Sequence, residues 1–343
     1  MRITNQYLAN SMIKHLQGNL SRLATSQEQI ATTKRVNRPS DDPNILSPLL
    51  AIKGNLIYNE QYDRNLNDGL AYLDVCDSAL GTIGSVLTKA YEYASQTAND
   101  SYNPDDRKSV ASQIDKLIDQ IVELGNSAVG SKYVFAGTDN GHPPFKRVKD
   151  DSGVEYIVFM GNTDQVMREV AAHTSYPISA NAVGFGATAS EGIFGWANDP
   201  TPKTITINGV SSDFQVIYMD DPSVSDDFSG VLKELFTFRN SLNDGADPAA
   251  QQQKIEESIG GLQKVSDRIL QHRVAVGARF NQFEDMKKQI LNQNLNLEST
   301  MSTLEDADLS KLSILSSQQL LTYQASLAIG SNVLSTSLLD FLR

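Results

Sequence analysis

Four histidines, at 15, 142, 173 and 272, are the side chains best suited to hold a zinc ion or move a proton near neutral pH. None stands in a His-x-x-x-His spacing, and the single cysteine, Cys76, belongs to no Cys/His cluster, so zinc hydrolysis has no ligand set. A Gly-x-Ser-x-Gly nucleophile elbow is missing as well. Gly184-Phe185-Gly186-Ala187-Thr188-Ala189 does match the Gly-x-Gly-x-x-Ala dinucleotide pattern. The next residues, Ser190 to Gly195, are too glycine-rich for the helix whose N-terminus must meet the pyrophosphate. The acidic pairs Asp41-Asp42, Asp105-Asp106 and Asp226-Asp227 resemble metal or acid–base pairs, but each sits beside a helix start, where carboxylates cap free N–H groups and complement the helix dipole. The residues therefore suggest no catalytic group, no metal and no cofactor. A soluble enzyme on a helical scaffold stays as the least supported of three readings.

The elements that these residues sit on are easier to read. Ile255, Leu262, Ile269, Val276, Phe283, Ile290, Leu297 and Leu304 recur every seven residues. Such a repeat keeps one stripe of a helix turned toward a partner along its whole length. At 1.5 Å per residue the helix runs about 75 Å, too long to be covered except by other long helices. Leu66, Leu73, Leu80 and Leu87 make a second such series, with Cys76 among them as a small core residue. Ile114, Leu117, Ile118, Ile121 and Val122 mark a third helix, started by Asn103-Pro104-Asp105-Asp106, and a shorter one covers roughly 227–243. Leu16, Leu23 and Ile30, flanked by Leu20, step by seven near one end, and Leu320, Leu327, Leu334 and Phe341 do so near the other. The last series is out of phase with 255–304, which predicts a bend or break around 305–308.

Between about 131 and 225 the pattern turns to strands. Residues 133–136, 154–160 and 166–171 read as strands, the latter two joined as a hairpin through Gly161-Asn162-Thr163-Asp164. Residues 204–209 and 214–219 read as a second hairpin. The expected fold is mainly α: an elongated bundle of long antiparallel helices built from both chain ends, with a β-rich insert domain at the tip. The expected divisions are 1–43 with 305–343 as axial terminal helices, 44–140 with 226–304 as the long-helix bundle, and 141–225 as the β-rich domain.

Charge separates the ends from the middle. The chain carries a formal net charge of −12, which argues against nucleic acid as partner. Residues 1–40 nevertheless hold six basic groups and one acid, and Leu312 to Leu339 hold no charge at all. No run approaches 18 apolar residues, so no membrane insertion is expected, and the polar residues scattered through 1–16 leave no cleavable signal peptide. An uncharged helix with a heptad stripe suits burial among copies of the chain. Leu16, Leu20, Leu23, Ile30, Leu320, Leu327, Leu334 and Phe341 are accordingly the expected subunit-interface residues, the 16/23/30 series packing on 320/327/334. Alone in water such a pair has little core to set against about 1–2 kcal/mol of backbone entropy per residue, so both ends are expected to order on assembly. In Arg38-Pro39-Ser40-Asp41-Asp42-Pro43 the prolines stop helix continuation, and Ser40, Asp41 or Asp42 is placed to cap the next helix. This is a rigid joint with charges available for pairing across subunits, or simply a capped loop.

Arg2-Ile3-Thr4-Asn5, Ser26-Gln27-Glu28-Gln29-Ile30 and Lys34 to Pro43 resemble the amino-terminal signature of the bacterial flagellin superfamily. Val276-Gly277-Ala278-Arg279 and Leu304-Glu305-Asp306-Ala307-Asp308 resemble its carboxy-terminal signature. The two resemblances cover roughly 1–130 and 250–343, in the right order at opposite ends of the chain. Ser131 to Thr138, Pro143-Pro144-Phe145, Gly161-Asn162 within 156–166 and the ending 337–341 are similar to the hook–filament junction branch of that superfamily. Ala328 to Asn332 and the lone cysteine depart from the filament flagellins, which remain the alternative. The resemblance implies a structural adaptor between hook and filament, extracellular in the flagellum and exported by the type III route without a cleaved peptide. It implies as partners further copies of the chain, the proximal hook-associated protein, flagellin, and an export chaperone on the carboxy-terminal segment.

Overall fold

Helix boundaries follow local chemistry in the computed structural model, which describes residues 2–99, 102–180, 182–185, 192–199, 201–207, 209–220, 227–244 and 248–341. Side chains are described between 10 and 331 within those ranges, Pro248 excepted, and at Tyr7. The described helices are α1 (Arg2–Thr32), α2 (Pro43–Thr97), α3 (Pro104–Gly125), α4 (Val231–Asn243), α5 (Pro248–Glu305) and α6 (Leu309–Phe341). Helix α3 starts where its sequence predicts, but Asn103 rather than the Asp105-Asp106 pair caps it: its side-chain oxygen accepts from the N–H groups of Asp105 and Asp106 at 2.9 and 2.8 Å. The expected break at 305–308 is the gap between α5 and α6.

The chain divides into two compact units, residues 1–60 with 291–343 and residues 61–290, and the division falls inside α2 and α5. In the 61–290 unit, α2 and α5 run antiparallel. Arg273 pairs with Asp77 at 2.8 Å, Lys287 donates to Asn67 at 2.7 Å and Gln263 to Tyr91 at 3.3 Å, so rising numbers on one helix meet falling numbers on the other. Their heptad residues Leu66, Leu73, Leu80 and Leu87, and Ile255 to Ile290 at every seventh position, are buried in one core with Cys76. Burial pushes the Cys76 thiol up to about 12, which leaves it unreactive at neutral pH.

Strands fill the stretch between α3 and α4. Those described are β1 (Ala128–Val129), β2 (Lys132–Tyr133), β3 (Phe145–Lys149), β4 (Glu155–Phe159), β5 (Met167–Ala171), β6 (Thr174–Pro177), β7 (Val183–Phe185), β8 (Gly195–Ala197), β9 (Lys203–Ile207), β10 (Val210–Met219) and β11 (Phe228–Ser229). They form small sheets, β3-β4-β10-β9, β11-β8-β7, β5-β6 and β1-β2, antiparallel except for β7 on β8. The 203–219 hairpin forms, turning at Gly209, whose φ of 77° only glycine adopts freely. The other expected hairpin does not: β4 pairs with β3 and β10, while β5 pairs with β6. Gly161 and Asn162 instead close on the 136–138 turn, where Asn162 donates its N–H to the Ala136 carbonyl at 3.0 Å and its side chain accepts from the N–H of Thr138 at 2.9 Å. Residues 134–136, expected as strand, are buried without being one.

An 18-residue window within α2 reaches a mean hydropathy of 1.3, long and apolar enough to cross a membrane by composition, which corrects the reading from uninterrupted apolar runs. Of that window, 44% is buried inside the protein. The apolar face of α2 is the face that carries Leu66, Leu73, Leu80 and Leu87 into the core.

Candidate assembly interface

The 1–60/291–343 unit is built on α1 against α6. Asn19 Nδ2 donates to Ser326 Oγ at 3.1 Å and Ser26 Oγ to Gln319 at 2.6 Å, and a Cβ built on Gly330 would lie 3.5–3.8 Å from Met12 and Leu16. The pair is therefore antiparallel. The inward a and d seats of the heptads are 12, 16, 19, 23, 26 and 30 on α1 and 312, 316, 319, 323, 326 and 330 on α6.

This register corrects the expected one. Leu23 is buried and Leu16 and Ile30 are half-buried, as foreseen, but the α6 residues that meet them are Leu312, Ser316, Gln319, Tyr323, Ser326 and Gly330. Leu320 and Leu327 stand beside the seam, 43% and 45% exposed, and Leu20 on α1 is 49% exposed. Small or polar residues take most of the α6 side of the seam, while the leucines at 320 and 327 are left facing outward. Ile314, Leu315, Leu321 and Ile329 are exposed on the rest of α6. The side chains of Leu334 and Phe341 lie outside the described residues.

Both helix breaks of this unit meet at one joint. The Arg35 N–H donates to the Glu305 carbonyl at 2.7 Å, the Ala307 N–H to the Thr33 carbonyl at 3.0 Å, and the Arg35 guanidinium to the Leu304 carbonyl at 2.8 Å. Thr33 takes a φ of 60°, a left-handed turn uncommon for a β-branched residue, to end α1 there. Lys34 and Lys53 both donate to Glu305 Oε1, at 2.8 and 2.9 Å, and the Glu305 side chain is only 6% exposed. Burial works to raise the Glu305 carboxyl; the two lysine hydrogen bonds outweigh it and hold the group below the ordinary carboxylate range.

The signature loop supplies the other half of the joint. Asp42 accepts from the Asn44 N–H at 3.2 Å and so caps α2, which starts at Pro43. Asp41 accepts instead from the N–H groups of Asn37 and Arg38, at 3.0 and 2.7 Å, holding the turn closed. Arg38 pairs with Glu28 at 3.0 Å and Arg35 with Asp42 at 3.2 Å, so these charges are matched within the chain. Pro39 and Ser40 are exposed. Pro48, inside α2, withholds an N–H from the Asn44 carbonyl one turn after the joint.

Sequence reasoning missed two features. Leu50, Ile57 and Tyr58 on α2 and Leu291 and Leu295 on α5 are exposed apolar residues of the same unit, and the seven-residue step from 50 to 57 was the available signal. In the 61–290 unit, Arg239 donates to Asp115, Glu155 and Asp220 at 3.1, 2.7 and 2.6 Å, and Arg147 to Asp119, Asp115 and Glu155 at 2.8, 3.0 and 2.8 Å. Burial alone would raise Glu155, but the two arginines hold it below its ordinary value. Phe236 stacks on Tyr218 at 4.4 Å beneath both guanidiniums. The network joins α3, α4 and the β3-β4-β10 sheet. It uses up its charges on structure.

The 1–60/291–343 unit thus has paired terminal helices with a charged joint between them, and the 61–290 unit has a β-rich region inserted in helical sequence. Residues 3–140 match the bacterial flagellin N-terminal helical region. The chain resembles flagellar hook-associated protein 3: it is 23% identical to that protein of Escherichia coli (strain K12) over 312 residues, 90% of this chain and 89% of the relative. Flagellin D of Vibrio cholerae is 23% identical over 352 residues, 91% of this chain and 90% of that protein. The crystal structure of flagellar hook-associated protein 3 from Legionella pneumophila shares the fold, with a TM-score of 0.55 at 15% identity over 74% of this chain and 98% of that one.

Proposed function

We propose that this chain is the adaptor subunit that joins the flagellar hook to the filament, with residues 1–43 and 305–343 as the axial helices that neighbouring copies enclose. The observation that carries the reading is α6: a helix uncharged from 312 to 339 that turns Ile314, Leu320, Leu321, Leu327 and Ile329 outward. A surface helix of a solitary protein spends that face on charges. Similarity to hook-associated protein 3 along nine-tenths of the chain supports the junction in particular. The residues 44–140 with 226–304 form the supporting helical domain in this reading, and 141–225 the outer β-rich domain. Its partners are other copies, the proximal hook-associated protein and flagellin, with an export chaperone on the carboxy-terminal segment before secretion. In this reading the protein works outside the cell, as a part of the flagellum.

The test is complementation. A strain lacking its junction protein sheds filament while keeping its hooks; this chain expressed there restores attached filaments and swimming, and continued shedding overturns the proposal. The full-length similarity to flagellin D favours a second reading, a filament-forming flagellin. Purified protein that grows into micrometre filaments on its own would establish that reading instead.

A further inference from the structure

The heptad register gives the two sides of the α1–α6 pair different characters. In an antiparallel pair the e seats of both helices line one side and the g seats the other. The e seats include Ile13 and Leu20 on α1 and Leu320 and Leu327 on α6, all large, apolar and exposed, with polar Gln27 and Ser313 at the end nearer the joint. Because Asn19 meets Ser326 and Ser26 meets Gln319, Leu20 falls at a level between Leu320 and Leu327. The four make a continuous apolar groove with a seven-residue step on each wall. The g side is mixed: His15, Arg22 and Gln29 on α1 make a polar and cationic edge, facing Leu315, Thr322 and Ile329 on α6.

A helix that fills the groove needs an apolar ridge with the same seven-residue step and no charge, since the groove walls offer none to pair with. The outer f seats of α6 meet both conditions: Ile314, Leu321 and Ala328 are exposed, with Ile314 and Leu321 at 63% and 65%, inside a stretch without charges. The exposed α2 stripe at Leu50 and Ile57 is a poorer fit, because Lys53 lies between them.

We infer that neighbouring copies join through unlike surfaces, the ridge Ile314/Leu321/Ala328 of one α6 seated in the groove Ile13/Leu20/Leu320/Leu327 of the next copy. This rests on the reading of the chain as an assembling subunit and adds which surfaces meet. A contact between two different patches repeats from copy to copy and builds a ring or helix, whereas a patch that met its own like would close a dimer.

Disulfide trapping tests it, because Cys76 is buried and silent. A tagged Leu20→Cys chain and an untagged Leu321→Cys chain are produced together, and isolated flagella are oxidised and blotted. Mixed dimers of the two variants are expected, and a ladder of multimers when both changes are in one chain. Leu320→Cys serves as a second groove position and should also pair with Leu321→Cys. Thr322→Cys, on a g seat, should not. Homodimers of Leu321→Cys in place of mixed ones, or no cross-link from either groove position, overturn the inference. If cells carrying the unoxidised variants still swim while cross-links are absent, the docking geometry falls and the adaptor function stands.

Discussion

Leu327→Asp separates folding from assembly. Leu327 is 45% exposed on an e seat, so in the single chain the aspartate keeps access to water and the α1–α6 seam, filled by other residues, is untouched. Enclosure by a neighbour removes the remaining exposure. Fully burying a leucine contributes about 1.5–3 kcal/mol, so the part left for assembly is about 0.7–1.4 kcal/mol. The aspartate forfeits this and adds an unpaired carboxylate in an uncharged interface, an effective penalty of several kcal/mol. Together the loss is about 4 kcal/mol, or roughly a thousandfold in partition between free and assembled subunit. Leu327→Ala loses only the first part, about fivefold. The assay is competition: cells make tagged variant and wild-type chain in equal amounts, and the ratio is read in isolated flagella. The melting of the 61–290 unit should not move. Incorporation of Leu327→Asp at parity with wild type would refute the reasoning.

Three further changes probe the parts that hold this surface in place. Glu305 has a depressed carboxyl, so its lysine pairs contribute in full above the ordinary carboxylate range and are lost as pH falls through the folded value; Glu305→Gln should lower the stability of the joint at neutral pH, and the difference from wild type in thermal melts should vanish in acid. Arg239→Ala leaves Asp115 and Glu155 to Arg147 and takes from Asp220 its arginine, at an expected cost of about 3–5 kcal/mol, read as a fall of roughly 10 °C in the melting of the 61–290 unit. Gly69→Ala sets a Cβ 2.5 Å from the ring of fully buried Phe283, which should cost about 1–3 kcal/mol by overpacking, and Phe283→Leu in the same chain should restore part of it by calorimetry.

The long helices were legible because their heptad residues are apolar, and apolarity is what a seam facing a large core requires. The start of α3 and the 305–308 break were legible because Asn-Pro-Asp-Asp and a phase change are local signals. The α1–α6 register was not: Ser316, Gln319, Ser326 and Gly330 form its seam, and the leucine series that stands out in sequence lies on the next seat over. A helix whose apolar residues await another molecule misleads any rule that places apolar residues inside. Strand partners escaped for a different reason. Gly161-Asn162 has turn chemistry, yet the turn it makes is decided by the 136–138 segment, more than twenty residues away. The Arg147–Arg239 network joins side chains as much as 124 positions apart and leaves no local trace.

Hydrogen exchange on the whole chain, dilute and then in isolated flagella, tests most directly whether neighbours complete the fold of the terminal helices. With so little apolar seam between them, amides of 10–30 and 312–330 should exchange orders of magnitude faster than those of 66–90 and 255–285 in the dilute protein, and become protected in flagella. Equal protection of all four segments in the dilute protein, unchanged on assembly, would contradict it.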